Sequence, residues 1–70
     1  MLSIRQVRMV FKATLGAEPR NADLMVLDIM GPTIEVVAEY IWDHMMGEPD
    51  SPSCDEVEAQ IIKLLDAEVP

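Results

Sequence analysis

The chain offers few residues able to do chemistry. His44 is its only histidine and Cys54 its only cysteine. Acid–base or nucleophilic catalysis needs a base within reach of a nucleophile, and no serine or cysteine close to His44 in sequence suggests such a pair. A solvated histidine is the simpler reading. Cys54 stands near the expected start of a helix, a position that favours thiolate, but Asp55 and Glu56 beside it oppose a second negative charge. Asp43, His44, Glu48 and Asp50 gather potential metal ligands, yet their spacing matches no zinc or calcium pattern. They read as a helix end and a loop in water. A lone cysteine cannot close an internal disulfide. We therefore expect no catalytic activity, no cofactor and no metal.

The elements that would position these residues are all helical. Ser3-Ile4-Arg5-Gln6 is a capping box, Leu2 and Val7 can close a hydrophobic staple over it, and Gly16 ends the helix. In this first helix Ile4, Val7, Phe11 and Leu15 form the expected buried face, flanked by a basic stripe of Arg5, Arg8 and Lys12. Asn21 can cap a second helix, whose Leu24, Met25, Val26, Leu27, Ile29 and Met30 point in nearly every direction. Such a helix belongs in the middle of a bundle. Gly31 and Pro32 stop it, and Pro32 or Thr33 opens a third helix with Ile34, Val37, Ala38, Ile41 and Met45 inward and Trp42 at the border. Glu35, Glu39 and Asp43 repeat along its flank as an acidic face. Like charges at that spacing cost a few tenths of a kcal/mol per pair, roughly. After a Gly47–Ser53 loop, Ser53 and Glu56 form a second capping box, and a fourth helix presents Val57, Ile61, Leu64 and Leu65 to the core. The expected fold is a compact all-α four-helix domain over residues 1–70, with helices at about 3–15, 22–30, 33–46 and 54–67.

Charge and composition bound the partners. The net charge of −8 is lopsided: residues 1–20 carry four basic groups against Glu18, while residues 21–70 carry twelve acidic groups against Lys63. Nucleic-acid binding rests on neutralising phosphates with Lys and Arg, so a basic protein surface is the better match. The longest apolar stretch, Leu24–Met30, is interrupted by Asp28 and falls far short of the roughly 20 residues of a membrane span. With no signal-peptide pattern, the chain reads as intracellular. Half of the residues are hydrophobic, including six methionines, which pack adaptably on surfaces that accept partners. A second copy of the chain could cover the apolar residues of helix two, making a homodimer one expectation. An acyl carrier protein is excluded, because the only Asp-Ser, Asp50-Ser51, runs into Pro52 rather than opening the second helix.

Two patches carry a resemblance. Met30-Gly31-Pro32 follows an apolar run, and an acidic helix beginning Asp55-Glu56-Val57-Glu58 ends near Leu64-Leu65. Residues 24–66 resemble the UBA and CUE families, three-helix domains that bind ubiquitin through the loop after their first helix and the end of their third. Here an amphipathic helix precedes that unit. The resemblance implies a binding surface made of Met30, Gly31 and Pro32 on one side and Leu64 and Leu65 on the other, with ubiquitin or a ubiquitin-like protein as partner. The same residues also read as an ordinary helix stop and as core positions of an amphipathic helix. The alternative function is a small acidic inhibitor or assembly protein, viral or phage in type, that blocks a basic surface on its target. Trp42 and Tyr40 could serve as interface anchors, burial of Trp42 in the core being the competing reading.

Overall fold

Ser3 opens the first helix by accepting the Gln6 N–H at 3.1 Å, while Gln6 Oε1 accepts the Ser3 N–H at 2.8 Å. The reciprocal pair satisfies two donors that a helix start leaves open, and α1 runs Ile4–Leu15. Gly16 closes it in the left-handed conformation, φ 76°, with its N–H on the Lys12 carbonyl at 3.0 Å. The computed structural model describes residues 1–45 and 52–68. Its further helices are α2 (Asn21–Met30), α3 (Ile34–Met45) and α4 (Cys54–Glu68). The described residues contain no strand, and the chain is the all-α four-helix domain expected from its sequence. The radius of gyration, 11.3 Å, matches the roughly 11 Å of a compact chain of this length. No helix among the described residues is long and apolar enough to cross a membrane. Most of the expected Gly47–Ser53 loop lies outside the described residues, as do Met46 and the Met45 side chain.

Local chemistry sets the other helix starts. The residue before α2 is Arg20, not Asn21, which is already helical. Asp23 supplies the reason, since its Oδ2 reaches back to accept the Arg20 N–H at 2.9 Å and ties down the first turn. Thr33 Oγ1 accepts the Val36 N–H at 3.2 Å at the start of α3, and Ser53 Oγ accepts the Glu56 N–H at 3.3 Å at the start of α4.

The core is built on the α3–α4 pair, the most extensive helix contact in the molecule. Val37, Ala38 and Ile41 of α3 meet Val57 and Ile61 of α4, and Val7, Val10 and Phe11 of α1 cover them. No buried residue among those described is polar or charged. Three expectations are corrected here. Ile4, assigned to the buried face of α1, is exposed, because it lines the open groove between α1 and α2 instead of joining the buried cluster. Leu64 and Leu65 are half-buried rather than core, since the buried side of α4 is occupied by Val57 and Ile61. The largest change concerns α2. It lies at the edge of the bundle and buries only Leu27.

Candidate functional site

The edge position of α2 leaves its outer side bare. Met25 is 65% exposed, Val26 41%, Ile29 81% and Met30 56%, against 1% for Leu27. Residues 25 and 29, and 26 and 30, are one turn apart, so they form two adjacent ridges. Each large apolar side chain left in water forgoes about 1.5–3 kcal/mol of burial. The face continues into a groove between α1 and α2, about 300 Å³ in volume, where Ile4, Val7, Leu24 and Leu27 meet Asp28 and Pro32.

The Met30-Gly31-Pro32 corner sits at the end of this face. Gly31 takes φ 83° and ψ 102°, outside the ordinary range of residues bearing a Cβ, and its N–H reaches the Asp28 carbonyl at 3.3 Å. The Pro32 carbonyl accepts the Leu2 N–H at 2.7 Å, strapping the start of the chain across the α2–α3 turn. Leu64 and Leu65 are elsewhere. Leu64 lines a separate groove with Ala13 and Thr14 of α1, and Leu65 packs on the core. The structure thus joins Met30, Gly31 and Pro32 to the apolar face of α2, and places Leu64 in a different groove.

The acidic residues assemble on another side. Glu35, Glu39 and Asp43 are exposed on α3. Glu35 shares a groove with Glu58 of α4, and the charges of Glu39, Asp55, Glu58 and Asp43 all bear on Cys54. Burial first, and then those carboxylates, push the Cys54 thiol above its ordinary pKa of 9.0, the opposite of what an activated thiol needs. Arg5, Arg8 and Lys12 do not neutralise this seam. Among the described residues, the one base–carboxylate contact within 4.0 Å joins His44 and Asp23, an ion pair only when the imidazole is protonated.

That pair belongs to a cluster that sequence reasoning missed. Asp23 accepts the Tyr40 hydroxyl as well as the Arg20 N–H. His44 Nδ1 donates to the Tyr40 carbonyl at 2.9 Å, and its ring lies 4.7 Å from that of Tyr40. The hydrogen bond from Tyr40 holds the Asp23 carboxyl below its ordinary range, and the same bond pushes the Tyr40 hydroxyl up to about 12. The cluster latches α2 to α3. Tyr40 also packs on Phe11 at 6.0 Å between ring centroids, so its ring serves the core while its hydroxyl serves the latch. Trp42 is half-buried. The described residues contain no group of three or more His, Cys, Asp or Glu arranged to hold a metal; Glu48 and Asp50 lie outside them. No family model, curated protein or solved structure matches the chain.

Proposed function

We propose that the chain is a non-catalytic protein-interaction module working inside the cell, of the UBA and CUE type, and that ubiquitin or a ubiquitin-like protein docks on the outer face of α2. One observation carries the reading: a helix of ten residues exposes four large apolar side chains, with Met30 of the Met30-Gly31-Pro32 corner among them. A partner patch that is apolar and ringed by basic residues suits this face, because Asp28 lies in the adjoining groove and residues 21–70 are strongly acidic. Leu64 and Leu65 enter this reading only as a second, separate contact.

The test is a titration of isotope-labelled protein with unlabelled ubiquitin, followed through amide chemical shifts. Saturating shifts at Met25, Ile29, Met30 and Gly31 are expected. Ubiquitin at millimolar concentration leaving those amides unmoved would overturn the choice of partner. Should a second copy cover the face instead, sedimentation equilibrium would return twice the chain mass. The acidic α3–α4 seam favours a second reading, a small acidic inhibitor or assembly protein that covers a basic surface on its target.

A further inference from the structure

The strap that joins Leu2 to Pro32 also borders a second groove, between α3 and α4. Its walls are the start of α3 and the middle of α4. Met1, Leu2, Ile34 and Ile62 supply apolar surface, and Glu35 and Glu58 stand at its edges. Ile62 is 44% exposed, one turn beyond the half-buried Glu58. The groove encloses about 460 Å³, within the roughly 300–1,000 Å³ of ordinary binding clefts.

Helix ends account for part of the acid here. Glu35 and Asp55 occupy the first turns of α3 and α4, where the positive end of a helix welcomes a carboxylate. Glu39, Asp43 and Glu58 lie beyond those turns and have no such compensation. They nevertheless stand close enough to Cys54 to act on it together with Asp55, and no cation among the described residues lies within ion-pair distance of any of them. An apolar cleft lined by two carboxylates, Glu35 and Glu58, neither with a cation in ion-pair distance among the described residues, is the complement of one surface type. We infer that the α3–α4 groove binds a cationic amphipathic helical segment of a partner protein, its apolar ridge on Leu2, Ile34 and Ile62 and its Lys or Arg residues against Glu35 and Glu58. The apolar contact supplies affinity, and the paired charges fix orientation and speed encounter. The inference deepens the acidic-inhibitor reading; its groove shares Leu2 with the α1–α2 groove beside the ubiquitin face, so shifts at Glu58 and Ile62, which line this groove alone, distinguish it from ubiquitin binding.

The probe is a leucine–lysine peptide of about 14 residues, four helical turns, patterned with one apolar face, together with a counterpart bearing Glu at every Lys position. The labelled chain is titrated with each. Shifts centred on Ile34, Glu35, Glu58 and Ile62 are expected with the lysine peptide alone. The double variant Glu35→Gln/Glu58→Gln weakens binding by about tenfold, the effect of two modest surface pairs, whereas Glu18→Gln does not. Ile62→Ser, at a side chain already half in water, weakens it several-fold without unfolding the chain. The inference is overturned by equal binding of the glutamate peptide, by shifts centred on α2, by a double variant that binds like the parent, or by no shift at millimolar peptide.

Discussion

Asp23 accepts the Tyr40 hydroxyl and the Arg20 N–H at once; the first bond shifts the acid down and the phenol up, and the second lowers the acid further. Tyr40 titrates near 12 against an ordinary 10.0, so the bond's contribution to stability is complete below about pH 10 and is lost as pH rises through 12. Asp23 titrates below its ordinary 3.8, so its contribution is present above that pH and is lost as pH falls further. Tyr40 is the only tyrosine, and tyrosinate absorbance therefore reads it alone. In Asp23→Asn its midpoint should fall back toward 10.0. Tyr40→Phe should cost about 1–2 kcal/mol in denaturant unfolding, the range for a hydrogen bond to a charged acceptor in a partly exposed setting. None of this was legible in the sequence. Residues 23 and 40 lie on different helices, and no helical period connects them. The available hint was an acid three residues after Arg20, a capping position in its own right.

Helix boundaries were the most legible feature because caps are made within four residues. Ser3 with Gln6, Gly16 and Gly31 all act where their types predict. The orientation of α2 was not legible. With Leu24, Met25, Val26, Leu27, Ile29 and Met30 around its circumference, no side of it is marked as inward. The choice falls to α3 and α4, which already fill each other's apolar faces and leave α2 the edge. The acidic stripe of Glu35, Glu39 and Asp43 could be read from spacing, but its union with Asp55 and Glu58 is a product of the α3–α4 packing. Gly31 governs the joint between α2 and α3. At φ 83° and ψ 102° a Cβ is strained whatever space surrounds it, and Gly31→Ala should destabilise the fold by about 1–3 kcal/mol in chemical denaturation. A loss below a few tenths would show that the turn relaxes to another conformation.

Across the whole molecule, a charge of −8, counted with His44 neutral, and no Lys or Arg paired with a carboxylate among the described residues mean that carboxylates repel more than they attract. Screening should therefore stabilise the chain: its melting temperature rises as sodium chloride is taken from about 0.01 M to about 1 M, where the Debye length shrinks from roughly 30 to 3 Å. A fall in melting temperature would mean that the basic stripe of α1 is paired in solution. The placement of α2, held by Leu27, the Asp23–Tyr40 bond and the Gly31 turn, divides the fold into units of unequal cooperativity. Because so little apolar area holds it, the helix should peel away while α3 and α4 stay folded. Its backbone amides should exchange with deuterium by such sub-global opening, faster than those around Ile41 and Ile61. A partner seated on its outer face would then act as a clasp, registering as slowed exchange along a helix that the isolated domain keeps only loosely closed.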